Sequence, residues 1–306
     1  MHLLIPHAAP LSDAGRHALA TLQLPRLEAL LARWTEAARD DGDETLLSPP
    51  HERVLARALG WQAEDGLLPW AAREMGTPQA GGPAAWAWAT PTHWAVGTDQ
   101  VTLLPSEALA LADSEARTVF EAVQPLFEGE GARLVWQGPD RWAVAHPSLA
   151  SLPTASLDRV IHRSVDAWLP RTAGQGAARL WRRLQNEVQM LLHTHALNEA
   201  REARGALPVN SFWLSGSGAW QPAHEQQAPQ VDARLRAPAL SEDWHAWVQA
   251  WQALDAGPIA ALLDTPGTRL TLCGERSALT LAHARPSLWQ RLRPGRRPAA
   301  ASLETL

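Results

Sequence analysis

Lysine and tyrosine are absent from this 306-residue sequence, and all 27 of its basic residues are arginine. Without lysine there is no Schiff base, no P-loop and no lysine general base anywhere in the chain. A single cysteine, Cys273, excludes an internal disulfide. It lies in the apolar run "TRLTLCG", which predicts a buried structural thiol and suits a reducing cytosol. No apolar run is long enough to span a membrane, and "MHLLIPHAAPLSDAG" has no basic n-region, so the start reads as a first strand. The net charge of −5 comes with scattered arginines, which excludes the basic footprint that nucleic acid requires. These absences predict a cytoplasmic protein with neither nucleic-acid nor membrane partners. What is abundant is Ala, Leu, Pro and 16 tryptophans, a pattern of composition bias that needs no shared chemical purpose.

A chain of this length buries a large core and suits two unequal lobes. "HLLIP" has the character of a buried parallel strand, followed by a helix capped by Ser12 or Asp13 and a second helix in "LPRLEALLARW". After the acidic turn "RDDGDE", Ser48 is placed to cap a helix whose first position is Pro49, and "LLPWAAREMG" predicts another short helix. Beyond the linker "TPQAGGPAAW" come strand-like stretches, "THWAVGTDQVTLLP", "ARLVWQG" and "RWAVAHP", around the helical "DSEARTVFEAVQPLFEG". A long amphipathic segment then carries the stripe Leu180, Leu184, Val188, Leu191 into the polar His195, Asn198 and Arg201 before Gly205 ends the helix. "VNSFWL" is a strand before a glycine-rich turn. "SEDWHAWVQAWQALD" and "GPIAALLD" are helices, "TRLTLCG" and "ALTLAH" are strands, and 295–306 is a mobile tail.

The stretch "HALNEAREARGALPVNSFWLSGSG" holds His195, Asn198, Arg201, Gly205, Pro208, Asn210, Gly216 and Gly218. This spacing resembles the H-x-x-N-x-x-R-x(3)-G-x-x-P-x-N…G-x-G signature of archaeal-type cofactor-independent phosphoglycerate mutases, within the alkaline-phosphatase superfamily. "LPRLEALLARW" is similar to that superfamily's T-P-N-L-D-x-L-A helix. "LSPPHERVLARALGW" is similar to the S-D-T-A-H-L-x-L-L-G-Y stretch, in which the serine is the phosphorylated nucleophile. Ser48 and His51 survive there, while the intervening aspartate is a proline and one residue is missing between them. Arg141 falls where the family has an H-R pair, and Glu275 and Arg276 replace the Asp-His of G-D-H-S-T.

The resemblance implies an α/β fold, an alkaline-phosphatase-like sandwich with an inserted α+β lobe. Its expected bounds are 1–78 with 206–294 for the main domain, 79–172 for the inserted lobe and 173–205 for a connecting helix. Two divalent ions serve catalysis in such enzymes. Here the first strand ends "IPHAAPLSD" instead of D-G-x-x-D, no D-x-x-G-H follows residue 218, and Arg276 stands where a histidine ligand belongs. The resemblance therefore implies a pseudoenzyme with no metal site and no cofactor, binding a phosphorylated small molecule or a protein partner. The expected binding residues are His195, Asn198, Arg201, Arg204, Asn210, Arg141 and Arg276. The rival expectation is an active mutase or phosphohydrolase, needing Mn or Mg and using Ser48 as nucleophile with His51 as its base.

Each of these residues also has a plain structural reading. Basic side chains favour the last turn of a helix through its dipole, and Ser before a helix is an ordinary N-cap. Asp40, Asp41, Asp43 and Glu44 form a solvated turn around Gly42, with no EF-hand spacing. His2, His7 and His283 meet only if the fold brings their strand ends together, and Trp86, Trp88 and Trp94 suit lobe packing.

Overall fold

The computed structural model describes residues 1–170, 176–263, 265–283 and 298–306. Its strands are β1 (His2–Ile5), β2 (Trp34–Asp40), β3 (Ala85–Val96), β4 (Val101–Leu104), β5 (Arg133–Gly138), β6 (Arg141–Ala145), β7 (Ser211–Ala219), β8 (Gln230–Val231), β9 (Arg269–Cys273) and β10 (Ala278–His283). Its helices are α1 (Asp13–Thr21), α2 (Pro25–Leu31), α3 (Pro50–Ala58), α4 (Trp70–Met75), α5 (Ser106–Leu109), α6 (Asp113–Gly129), α7 (Leu157–Val160), α8 (Gly176–His193), α9 (Ala196–Ala203), α10 (Arg236–Leu240), α11 (Trp244–Leu254), α12 (Ala260–Leu263) and α13 (Ala299–Leu303). The fold is mixed α/β with two sheets. No helix among the described residues is long and apolar enough to cross a membrane.

The chain divides into two units, residues 1–60 with 224–306, and residues 61–223. The first has a mixed sheet in the order β2-β10-β9-β1-β8, with β1 parallel to β8 and β9, and β10 antiparallel to β9 and β2. The two-residue alternation of β1 sends Leu3 and Ile5 to one face, where they meet Trp247, Trp251 and Leu254 of α11 and the leucines of α1 and α2. Leu4 points the other way, onto Cys273, Ala278 and Val54. Burial pushes the Cys273 thiol far up, away from the reactive thiolate, as expected for a structural cysteine. Ser12 caps α1 by accepting from the Gly15 N–H at 3.2 Å. Helix α2 has no such residue of its own, and its first N–H groups are met by buried Asp255, which accepts from Leu27 N at 2.8 Å and Arg26 N at 3.2 Å. Asp255 opens the π-helical turn that joins α11 to α12, where Pro258 interrupts the ordinary ladder.

The described part of the tail, 298–306, departs from the expected mobile end. Ala299, Leu303 and Leu306 are buried in the first unit's core, and the Leu306 carbonyl accepts from Arg276 N and Ser277 N at 3.0 and 2.8 Å. Gly274 is what lets the tail approach, since a Cβ there would sit 2.6 Å from the Leu306 carbonyl carbon. Residues 295–297 of the expected tail lie outside the described residues.

The second unit is built on an antiparallel sheet, β4-β3-β6-β5, with β7 also paired to β3. Phe127 and Val123 of α6, Trp181, Leu184 and Val188 of α8, and Phe212 of β7 fill one face. Trp86 and Trp88 pack on Ala71 and Ala72 of α4 on the other, as lobe packing requires. The pairing of β7 with β3 moves the expected boundaries, because it draws 206–223 and 61–78 into this unit and away from the main domain. The glycines after "SFWL" form no turn there. Strand β7 runs on through Ala219, and the register shift opposite Trp86 and Trp88 is absorbed at Gly216, whose φ of 60° suits glycine. Of the expected connecting helix 173–205, residues 173–175 lie outside the described residues, and the rest is two helices, α8 and α9, broken ahead of His195.

Candidate functional site

The polar signature lies wholly in the second unit, and its side chains form a scaffold. His195 is the N-cap of α9, its ring accepting from Leu197 N at 3.2 Å, so it starts a helix where the sequence pattern placed it near the end of one. Buried Asn198 donates to Leu192 O at 2.8 Å and Val209 O at 2.7 Å, and accepts from Val209 N at 2.9 Å. One amide thereby ties the end of α8 to the chain entering β7. Asn210 does the same one residue on, accepting from Trp94 N at 2.7 Å and donating to Trp94 O at 2.9 Å, which sets the start of β7 against β3.

Arg201 is fully buried. Its Nε donates to Leu207 O at 2.8 Å, one Nη donates to Leu109 O, and the other pairs with Glu115 at 2.6 Å. Arg204, half exposed, pairs with the other oxygen of the same carboxylate. Burial favours the neutral acid at Glu115, but the Arg204 hydrogen bond, the Ala112 N–H and the two guanidinium charges outweigh it and hold the pKa below the ordinary carboxylate range. Gly205, at φ 76°, then closes α9 in a Schellman turn, with Ala206 N on Arg201 O and Gly205 N on Glu202 O.

Close to this network is a hollow of about 190 Å³ lined by Pro91, Ser106, Glu107, Leu109, Ala110, Leu111, Pro139 and Asp140. Its charged rim is Glu107 and Asp140, a sign that repels phosphate. Arg141 stands apart from the signature on β6, paired with Glu74 at 3.0 Å and stacked 4.2 Å over the Trp88 ring.

In the first unit, three expected residues gather at the carboxyl end of β9, with the end of parallel β1 beside it. Ligands of open α/β sheets bind outside such strand ends. Ser48 is buried and its carbonyl accepts from Arg53 Nη1 at 2.8 Å. It does not cap α3: the N-cap is Pro49, followed by Pro50, and no side chain caps the helix. Two consecutive prolines remove two N–H donors that a bound anion would use. Arg53 also bonds Asp40 and the Arg276 carbonyl, joining α3 to the acidic turn and to the end of β9. Arg276 grips Glu44 through two bonds, 2.6 and 3.0 Å, an exposed pair in which the Arg276 hydrogen bond draws the Glu44 pKa down and raises that of Arg276. Glu275 accepts from Leu11 N at 2.9 Å. His51 lies in the first turn of α3, and its ring centroid is 5.4 Å from that of His7.

Two divalent hard cations want clustered carboxylate oxygens. The edge of this sheet supplies imidazoles, an arginine already held by a carboxylate, and a glutamate holding a backbone N–H. Among the described residues of this edge, that donor set does not fit a dinuclear centre. Arg276 and the missing aspartates are what set that expectation in the sequence. The pairing of His7 with His51 was not readable there, because 44 positions of chain separate them and only the strand-to-helix topology joins them. His2 and His283, the partners that strand ends suggested for His7, are at the opposite edge: His2 pairs in register with Arg269, and Arg269 with Ala282.

No protein-family model matches this chain, and no curated protein matches it. Among solved structures it is similar to the cofactor-independent phosphoglycerate mutase from Thermoplasma acidophilum DSM 1728, at 13% identity and a TM-score of 0.37 over 100% of this chain and 98% of the other. It is likewise similar to the PH0037 protein from Pyrococcus horikoshii, at 13% identity and a TM-score of 0.47 over 97% of this chain and 90% of that one.

Proposed function

We propose that this chain is a degenerate phosphoglycerate mutase-like protein with an alkaline-phosphatase-like main unit. It works in the cytoplasm as a pseudoenzyme, without the two-metal chemistry, by binding a phosphorylated metabolite or a protein partner in a regulatory or scaffolding role. The observation that carries this reading is the state of Glu275 and Arg276. They occupy the positions that the resemblance matches to an Asp-His ligand pair, and they are held by Leu11 N and Glu44. A guanidinium there opposes a cation by like-charge repulsion and offers a bidentate grip to a phosphate that displaces Glu44.

The active reading keeps one observation in its favour: Ser48 and His51 flank the start of α3 beside the sheet's carboxyl edge. A serine nucleophile needs a neighbouring base or metal to lose its proton. The two readings separate in a coupled mutase assay with 3-phosphoglycerate and added manganese, run with calorimetric titration of 2- and 3-phosphoglycerate. The expected outcome is a rate equal in wild type and Ser48→Ala, with phosphoglycerate binding weakened about ten- to hundredfold in Arg276→Ala, the loss of one charge-assisted contact of about 1.5–3 kcal/mol. Turnover that depends on manganese and disappears in Ser48→Ala would establish the enzyme instead.

A further inference from the structure

We infer that the first unit holds a single borderline transition-metal ion, of the Zn²⁺, Ni²⁺ or Cu²⁺ class, between the imidazoles of His7 and His51. This is a different centre from the two-ion site that the resemblance implies. It uses no carboxylate pair, and of its two ligands only His51 has a role in the resemblance, as the base of the rival reading; it stands whether or not the binding reading above is right.

The argument begins with position. His7 lies in the turn that follows β1 at its carboxyl end, and His51 sits on the first turn of α3, so a turn clamped to the sheet and a helix each present one ring. The rings are half-buried and tilted 45° to one another, and a ligand nitrogen of each lies within 4.8 Å of the other. Two nitrogens on one tetrahedral ion with bonds of about 2.0–2.1 Å stand roughly 3.3 Å apart. Small rotations about the side-chain torsions cover that difference, with no movement of the backbone.

The second observation is strain. His7 has φ 55°, a left-handed conformation that a residue with a Cβ adopts at some energetic cost. The surrounding structure enforces it. Trp247 Nε1 donates to the His7 carbonyl at 3.0 Å, and Ala8 N donates to Cys273 O at 2.7 Å, clamping both sides of the residue. The backbone of His7 is thereby held beside His51, with the ring centroids 5.4 Å apart, and a ligand on a preorganised backbone loses less entropy when it binds an ion.

Chemistry selects the ion. Neutral imidazole suits zinc, copper and nickel, while magnesium, calcium and manganese prefer oxygen. The two imidazoles of this unit leave the remaining positions of the ion to water or another oxygen donor.

The test uses the full chain without a histidine tag. The protein is stripped with chelator, dialysed against zinc and analysed for bound metal, and the affinity is measured by titration calorimetry. One zinc per chain is expected. Loss of an outer-sphere partner alone costs about 10–100-fold in metal affinity, so His51→Gln and His7→Asn should each weaken binding at least tenfold. Asparagine tolerates the left-handed backbone, so His7→Asn removes the imidazole without unfolding the strand end. Circular dichroism of each variant confirms the fold, and His17→Gln, an exposed histidine on α1, should bind as wild type does. Manganese should bind at least tenfold more weakly than zinc. The inference is overturned if wild type binds no zinc, or if His7→Asn with His51→Gln binds it as tightly as wild type.

Discussion

Arg201→Met should destabilise the second unit by about 3–5 kcal/mol, the range found when one partner of a buried ion pair is removed. The side chain is enclosed and its three bonding nitrogens hold Leu207 O, Leu109 O and Glu115. Methionine fills much of the volume but meets none of these acceptors, and two backbone carbonyls and a carboxylate oxygen lose their donor. Lysine does not rescue the site, because one ammonium cannot reproduce a planar fork aimed at three separate acceptors. Arg204→Ala, removing the half-exposed member of the same cluster, should change stability by less than about 1 kcal/mol. Urea unfolding followed by tryptophan emission checks both, since Trp142, Trp181 and Trp213 are buried in this unit. If Arg201→Met keeps its stability but loses affinity for a phosphorylated ligand, the scaffold account of the signature fails.

The same cluster gives the protein an acid sensitivity of definite sign. The Glu115 pKa is lower folded than unfolded, so its stabilising contribution is complete above the unfolded value and disappears as pH falls through the folded one. The stability gap between wild type and Glu115→Gln should accordingly be widest near neutral pH and narrow steadily on acidification.

Trp247→Ala is expected to cost the first unit about 3–5 kcal/mol, as full truncation of a buried large aromatic does. Trp247 has no exposed surface and packs edge-on against Trp244 and Trp251, with ring centroids 6.0 and 6.1 Å away. It also anchors the strained His7 through its indole N–H. Trp247→Phe retains most of the packing and removes that hydrogen bond, at a cost of about 0.5–1.5 kcal/mol. Chemical denaturation of the two variants separates packing from anchoring. The zinc affinity of Trp247→Phe should fall relative to wild type while its fold stays intact. A truncation that costs less than about 1 kcal/mol would mean that α11 does not close this core.

Much of the fold was legible because its elements carry their period in the residues. The run 113–129 reads as a helix and is one; "TRLTLCG" and "ALTLAH" read as strands and pair with each other. Tryptophans 244, 247 and 251 recur at helical spacing and mark the buried face of α11. Strand β2 escaped notice for the opposite reason. "WTEAARD" lies at the sheet edge with its middle residues exposed, so no apolar alternation betrays it, and only pairing with β10 makes it a strand.

By itself the sequence determined what chemistry is impossible where a residue type is missing: with no lysine there is no Schiff base. It also placed the helices and strands whose apolar residues repeat at 3.6 or 2. Tertiary structure alone decided what the polar residues do, because a hydrogen bond depends on distance in space. Asn198 meets Val209 and Arg201 meets Glu115 only once the strands and helices of the second unit have closed. Asp255 reaches α2, and His7 reaches His51, only through the packing of elements far apart in the chain. Residue type sets which bonds a side chain can make, and the fold chooses which of them it does make.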